Sequence, residues 1–328
     1  MKEIEVLSIG ELLIDFTPVG ASANGKPIYE QNPGGAPANV AAALAKWGRA
    51  TSMIARVGND FFGEDLITTL ENHYVDCSLI STDGDIPTTL AFVKLNAEGN
   101  RSFSFYRKPG ADLMLRKEDI DKAYIKRCKI LHFGSVSLTG GTSREATWHA
   151  VEQGIENSKI ISFDPNIREL LWKDQDEMKE QIKKGLSKAH LVKMSDEELY
   201  FVTGEKELEK AAKLITDAYA IQLLIVTLGA EGSYYLFEEK TGFIQGYRVR
   251  ATDTTGAGDV FWASVLHQLL EKISLLELQE KDIRNILQTA NAVGALTTLK
   301  KGAIPSIPTL DEIEQFLHQH RTQMEDKV

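Results

Sequence analysis

The chain has 328 residues, 43% of them hydrophobic, which is enough for a sizeable core in one large α/β domain or two smaller ones. Its 47 acidic residues outnumber 37 Lys and Arg. The resulting net charge of −10 argues against an extended nucleic-acid or anionic-membrane surface, so any phosphate ligand must be held locally. Two cysteines, Cys77 and Cys128, have no CxxC spacing, and seven histidines are scattered, a pattern that suggests neither a zinc site nor a disulfide framework. No stretch approaches the length of a membrane span. Met1-Lys2-Glu3-Ile4-Glu5-Val6 passes at once into a strand-like run, without the basic start and apolar core of a signal peptide, so a cytoplasmic protein is expected.

A first strand is predicted over Ile4 to Ile9. In the next stretch, Gly10-Glu11-Leu12-Leu13-Ile14-Asp15-Phe16, Asp15 stands out as a charge within an apolar run. It is either a structural carboxylate on backbone N–H groups or an acceptor for two adjacent hydroxyls of a sugar. Residues 17–33 read as irregular. A helix is predicted to begin near Pro37, directly after Gly34 and Gly35, and to end at Gly48. The two glycines are a tight turn or an opening through which a ligand reaches the main chain, with Asn39 in the first helical turn able to donate and accept.

Ala50 to Val57 reads as a strand and Phe61 to Asn72 as a helix. Thr88 to Leu95 and Arg101 to Arg107 alternate around an Asn96–Asn100 turn, which predicts an antiparallel hairpin rather than a βα unit. With residues 17–33 it is assigned to a small β lid, from about 17–33 and 88–108, inserted into a single domain spanning 1–328. Tyr106 and Arg107 end this hairpin and are candidate ligand contacts.

From Lys129 the pattern is regular. Strand-like runs at Lys129 to Phe133, Lys159 to Asp164, His190 to Met194 and Ile221 to Thr227 alternate with helical stretches at 142–157, 175–189 and 205–219. This alternation predicts a doubly wound, mostly parallel α/β sheet flanked by helices, with ligands beyond the C-terminal strand ends. Asp164-Pro165-Asn166-Ile167-Arg168 occupies one such end, where it is a common turn or brings Asn166 and Arg168 to phosphate or sugar. Thr142-Ser143-Arg144-Glu145 and Ser195-Asp196-Glu197-Glu198 both fit the capping box. Thr227-Leu228-Gly229-Ala230-Glu231-Gly232 ends the parallel run with glycines that would let a nucleotide lie across the loop. Ser233 to Glu238 and Phe243 to Val249 read as edge strands, residues 280–299 and 309–322 as helices, and Met324 to Val328 as a frayed tail.

Between the edge strands and the last helices lies Asp253-Thr254-Thr255-Gly256-Ala257-Gly258-Asp259, running into Val260-Phe261-Trp262-Ala263-Ser264-Val265-Leu266. Phe261, Val265, Leu269 and Ile273 recur every four residues, as in a largely buried helix. Gly256, Ala257 and Gly258 then lie at a helix N-terminus, where backbone N–H groups and the helix dipole favour an anion, most naturally phosphate. Asp259 either caps that helix or acts as a general base for a hydroxyl attacking phosphorus held beside it.

Gly34-Gly35-Ala36-Pro37-Ala38-Asn39 and the Asp253–Asp259 stretch, in this order, resemble the two signature motifs of the ribokinase-like (PfkB) carbohydrate kinases, and the resemblance covers nearly the whole chain. Finer matches at Gly10–Phe16, Phe105–Asp112, Asp164–Arg168 and Ser195–Leu199 point to the fructokinases of that family. The resemblance implies ATP-dependent phosphorylation of the 6-hydroxyl of D-fructose, with Asp259 as base, ionised at neutral pH. It also implies an anion hole at Gly256, Ala257 and Gly258, and Arg168 near the transferred group or the substrate. Asp15, Gly34, Gly35 and Asn39 match sugar contacts, and Thr227, Gly229, Gly232 and Asn291 match nucleotide positions. Mg²⁺ on the ATP phosphates is implied. A monovalent cation such as K⁺ often accompanies the second motif, with Asp253, Thr255 and the 297–306 loop, including Gly302 and Ser306, as the matching stretches. Many members carry Asn-x-x-Glu near the metal. Here Ser195 takes the Asn position and Glu198 is kept, so Glu198 either acts on Mg²⁺ through water or only completes a capping box. Sugar and ATP are the implied partners, with a homodimer through the lid. Within the class, 2-keto-3-deoxygluconate kinase is the alternative, with Tyr106 and Arg107 holding a carboxylate; outside it stands a non-catalytic sugar-binding regulator. Neither G-x-G-x-x-G after an early strand nor a Walker A loop is present.

Overall fold

The computed structural model describes residues 3–95, 101–272 and 278–325. In chain order its first half comprises β1 (Ile4–Ile9), β2 (Leu13–Ala21), β3 (Pro27–Gly34), α1 (Ala36–Lys46), β4 (Thr51–Gly58), α2 (Phe61–Asn72), β5 (Ile80–Asp83), β6 (Leu90–Leu95), β7 (Arg101–Tyr106), α3 (Lys122–Arg127), β8 (Cys128–Gly134) and α4 (Gly141–Glu156). The second half comprises β9 (Ile160–Asp164), α5 (Gln175–Leu186), β10 (Leu191–Ser195), α6 (Asp196–Thr203), α7 (Leu208–Ala218), β11 (Leu223–Thr227), β12 (Gly232–Phe237), β13 (Lys240–Gln245), α8 (Ala257–Leu269), α9 (Glu280–Thr297) and α10 (Leu310–Glu325).

A nine-stranded sheet runs in the order β13-β12-β11-β10-β9-β8-β1-β4-β5. The strands from β11 to β5 are parallel, and β12 and β13 close one edge in antiparallel pairing. Both faces are covered, which is why the strands read as continuous apolar runs. In β11, Ile225 joins one core cluster and its neighbours Leu224 and Val226 join the other. The first cluster packs α1, α2, α8, α9 and α10 on one face; the second packs α3 to α7 on the opposite face. Ala41, Ala42 and Ala43 of α1 are fully buried, so the backbone of α1 can approach its neighbours closely. Trp262 of α8, also fully buried, donates from Nε1 to Ser162 Oγ of β9 at 2.9 Å, tying α8 to the middle of the sheet.

The second sheet has four strands in the order β3-β2-β6-β7. Residues 17–33, read as irregular, belong to the antiparallel pair β2 and β3. A bulge between Pro18 and Gly20 breaks the two-residue alternation that would have betrayed the strand. Pro18 is tolerated because β6 pairs only with Ile14 to Phe16 of β2, so no strand flanks the proline on that side. The β6–β7 hairpin forms as expected; its Asn96–Asn100 turn lies outside the described residues, as do Ile273 and the last three residues of the tail.

Two further expectations change. α4 starts at Gly141 after Gly140 with no side-chain cap. Ser143 instead donates to the carbonyls of Ser137 and Gly140, and Thr142 to that of Leu113, so Thr142–Glu145 is not a capping box. The last edge strand is Lys240–Gln245 rather than 243–249, because Phe237 pairs with Lys240 and the chain reverses within the intervening two residues. Among the described residues no helix is long and apolar enough to cross a membrane.

Gly185 of α5 lies against Phe163 of β9, itself stacked on Phe133 at 4.6 Å; a methyl group at Gly185 would stand 2.6 Å from Phe163 Cε1. Gly185→Ala gains at most about 1 kcal/mol of helix propensity. Overpacking against two fully buried rings costs about 1–3 kcal/mol. A net loss of stability is expected, read as a lower urea midpoint at unchanged slope; a higher midpoint would mean that the rings yield freely.

Candidate active site

α8 begins without a side-chain cap. Gly256 holds the capping position at φ 75° and ψ −4°, a left-handed conformation that glycine takes without strain, and a Cβ there would stand 2.5 Å from that of Ala303. The first-turn N–H groups and the helix dipole thus face the space beyond the sheet as an anion site.

Asp259 is the third residue of α8 and only 7% exposed. It does not cap the helix. Its Oδ2 accepts from Asn39 Nδ2 at 2.8 Å and its Oδ1 from Asn166 Nδ2 at 2.8 Å. Asn39 comes from α1, whose close approach to α8 the alanines allow. Asn166 follows β9 with φ 46°, in the turn built by Asp164-Pro165. Burial raises the Asp259 carboxyl above its ordinary pKa; the Lys193 ammonium, the Asn39 amide, Arg168 and the Asn166 amide pull it back. The Asp15 carboxyl is lifted to about 6 by burial, with Arg168 opposing the rise and Asp259 and Asp253 adding to it.

Lys193, on β10, drew no notice in the sequence. It is 6% exposed, and its Nζ donates to Asp164 Oδ2 at 2.7 Å. Burial works against the ammonium, yet Asp164, Glu198 and Asp259 around it hold its pKa above the usual value. Nζ stands 3.0 Å from the place a Cβ on Gly258 would take, so this fixed positive charge sits beside the α8 N-terminus.

Two cavities meet at that terminus. The smaller, about 250 Å³, is lined among others by Asp15, Gly35, Asn39, Arg168, Gly256 and Asp259. The larger, about 600 Å³, is lined by Thr227, Gly229, Gly232, Asn291, Ala257 and others, including residues 246–249 after β13. Thr254 and Gly258 line both. Asn291 faces the larger cavity with its amide donating to the carbonyl of Ile244 at 3.0 Å.

Other predicted residues are placed differently. Gly34 does not line the smaller cavity but leaves room for Asp15, whose Oδ2 would be 2.6 Å from a Cβ at Gly34. Gly35, at φ 120°, packs against the Glu11 carbonyl, 2.3 Å from where its Cβ would be. Tyr106 is 66% exposed, and Phe105 rather than Tyr106 or Arg107 lines the cavity. Arg107 is buried and bound to Asp112, to Thr139 Oγ1 at 2.7 Å and to the Val136 carbonyl at 3.2 Å. Glu198 forms the capping box with Ser195, accepting its N–H at 2.8 Å on Oε2, while Oε1 accepts from Ile167 N–H at 2.7 Å. Both oxygens are therefore engaged by main chain. Asp253 accepts from Thr255 N–H and Oγ1 and from Gly302 N–H, joining its own turn to the 297–306 loop, where Ser306 Oγ donates to the Ala303 carbonyl. Among the described residues no cluster of three His, Cys, Asp or Glu could hold a metal ion by itself.

Residues 3–310 match the pfkB family carbohydrate kinases. A relative named probable fructokinase-2, from Arabidopsis thaliana, is 41% identical over 314 residues, spanning 95% of each chain. The solved structure of a Xylella fastidiosa fructokinase with bound ATP is similar at a TM-score of 0.88 and 32% identity, covering 97% of this chain and 99% of that one. A Vibrio cholerae O395 fructokinase in its fructose, ADP and calcium ion bound form gives 0.87 and 34%, covering 96% and 100%.

The Lys193–Asp164 pair can be tested through stability. Lys193→Met leaves a buried carboxylate unpaired and is expected to cost about 3–5 kcal/mol, whereas Lys193→Met with Asp164→Leu should recover most of it. Chemical denaturation of both variants checks this; equal losses would mean that the charges are independent.

Proposed function

Because the chain belongs to the pfkB family of carbohydrate kinases, we propose that its two joined cavities make it a fructokinase, transferring the γ-phosphoryl group of ATP to the 6-hydroxyl of D-fructose. The observation that carries this reading is the buried Asp259 carboxylate at the α8 N-terminus, in the wall of the smaller cavity, which meets the larger at Thr254 and Gly258. The larger cavity receives ATP across Thr227, Gly229, Gly232 and Asn291; the smaller receives the sugar. Asp15 accepts from adjacent sugar hydroxyls, Gly35 and Asn39 supply further contacts, and Gly34 makes room for the Asp15 carboxylate.

Asp259 accepts the proton of the 6-hydroxyl as its oxygen attacks the γ-phosphorus. The transition state of phosphoryl transfer is loose, so the chain contributes mainly position and positive potential. The main-chain N–H groups of Gly256, Ala257 and Gly258 face the phosphoryl oxygens, while Lys193 and Arg168 add full charges. Asn39 and Asn166 donate to both oxygens of Asp259 and so hold its acceptor lone pairs in place. Mg²⁺ bound with ATP would supply charge neutralisation. Glu198, with both oxygens accepting backbone N–H groups, would act on that ion only through water. A monovalent cation such as K⁺ would sit at the turn of Asp253 and Thr255 and the 297–306 loop, which the Asp253 carboxylate joins by accepting from Thr255 and Gly302 N–H groups.

A 2-keto-3-deoxygluconate kinase would need Tyr106 and Arg107 to grip a carboxylate, and Arg107 is committed to Asp112 and Thr139. A sugar-binding regulator would need neither the buried Asp259 nor the second cavity. The enzyme works in the cytoplasm as a homodimer joined through the β2, β3, β6 and β7 sheet, whose Val19, Ile28 and Tyr106 are exposed. A monomeric mass in light scattering at micromolar concentration would remove the dimer.

ADP release from Mg-ATP, followed with fructose, glucose, ribose, adenosine and 2-keto-3-deoxygluconate, with and without K⁺, should be led by fructose. Asp259→Ala should leave sugar and ATP binding largely intact and lower kcat by roughly 10²–10⁴. Unchanged turnover would remove Asp259 from the role of base.

A further inference from the structure

Glu11 lies in the turn between β1 and β2 and is 3% exposed. Its two carboxyl oxygens have different fates. Oε1 accepts the N–H of Ala36 at 2.9 Å and so fixes the start of α1, whereas Oε2 is buried and accepts from no other residue; Glu11's own N–H also favours the charged carboxylate. The charges felt at Glu11 are those of Asp112 and Arg107. These two are bound to each other, and Asp112 Oδ1 also accepts from Thr89 Oγ1 at 2.5 Å. Glu11 has no hydrogen bond to either of them.

Glu11 also lines the smaller cavity, with Asp15, Asn39 and Asp259. A buried carboxyl oxygen without a donor is costly, and desolvation accordingly lifts the Glu11 carboxyl to about 7. Asn39 Oδ1, in the same cavity, is likewise buried and unpartnered. Both residues line one small cavity, and a ligand that brings hydroxyl donors would satisfy the two acceptors once their side chains turn toward it. Glu11 reaches this cavity from the turn before β2, and Asp15 reaches it from β2 itself.

We infer that Glu11 is a specificity-determining residue for the sugar, its Oε2 accepting a hydrogen bond from a hydroxyl other than the one that is phosphorylated. The inference rests on the kinase reading above. It adds to Asp15 a second carboxylate in the wall of the same cavity, so that the sugar meets both while the hydroxyl to be phosphorylated is presented to Asp259. A sugar lacking the hydroxyl that meets Glu11 would leave Oε2 unpaired, and a hydrogen bond to a charged group is worth roughly a 10- to 100-fold change in affinity.

Glu11→Gln tests this, because glutamine keeps the shape and can keep the acceptor for Ala36 N–H while presenting an amide N–H in place of Oε2. Wild-type turnover of fructose is measured first; its absence would overturn the kinase reading, and this inference with it, before any variant is compared. With fructose turned over, Glu11→Gln should raise the fructose KM about 10- to 100-fold while leaving the ATP KM within about twofold and the melting temperature nearly unchanged. Across 1-deoxy, 3-deoxy and 4-deoxy analogues of fructose, one should lose a similar factor with the wild type and nothing further with the variant. A fructose KM within about twofold of wild type, or equal penalties for every analogue in both proteins, would overturn the assignment. If Glu11→Gln melts early, Glu11→Asp, which withdraws the charge by one methylene, carries the same comparison.

Discussion

The geometry of the site depends on one carboxylate that is kept out of water and still held as an acceptor. Asp259 is buried at the first turn of α8, and the two side chains that donate to it come from the start of α1 and from the turn after β9. For the three to meet, α1 must lie close against α8, which its row of buried alanines permits, and α8 must be fixed over β9, which the bond from Trp262 to Ser162 achieves. The packing of the domain and the aim of the carboxylate are therefore set by the same contacts. A shift of either helix would loosen the core and misplace the Asp259 carboxylate together.

The electrostatics follow the same economy. The chain is acidic overall, so attraction for a polyphosphate must be produced within a few ångströms. Three sources converge at the α8 N-terminus: the helix dipole, the exposed Arg168 and the buried Lys193. Lys193 stays charged because Asp164, Glu198 and Asp259 surround it. A buried ammonium among carboxylates adds little to stability for its cost. Its benefit here is a cation whose position does not depend on a flexible side chain at the surface.

Much of this was legible in the sequence because it is local. The Asp253–Asp259 stretch carries its own chemistry, the alternation after Lys129 announces a parallel sheet, and the Ser195–Glu198 capping box forms as the spacing suggests. Lys193 and Glu11 were not legible, since each looks like an isolated charge in a strand or turn and acquires meaning only from residues brought beside it by sheet pairing or by α1. Strands β2 and β3 were hidden by a bulge and a proline. Thr142–Glu145 imitated a capping box because its spacing is right, but the helix had already begun at Gly141, the second of a pair of glycines. That Arg107 turns from the cavity to Asp112 was hidden for a related reason, because Asp112 lies beyond the strand in which the arginine was noticed.

The two cavities meet at Thr254 and at Gly258, a residue with no side chain and with Lys193 Nζ 3.0 Å from where one would start. At Gly258 the junction is thus main chain with little room for a side chain, whereas the wall of the smaller cavity, at Phe105 and Leu171 for example, is made of ordinary side chains. Such an architecture separates what can evolve from what cannot. Selection can rework the walls of the smaller cavity residue by residue, without disturbing the point at which the two cavities join.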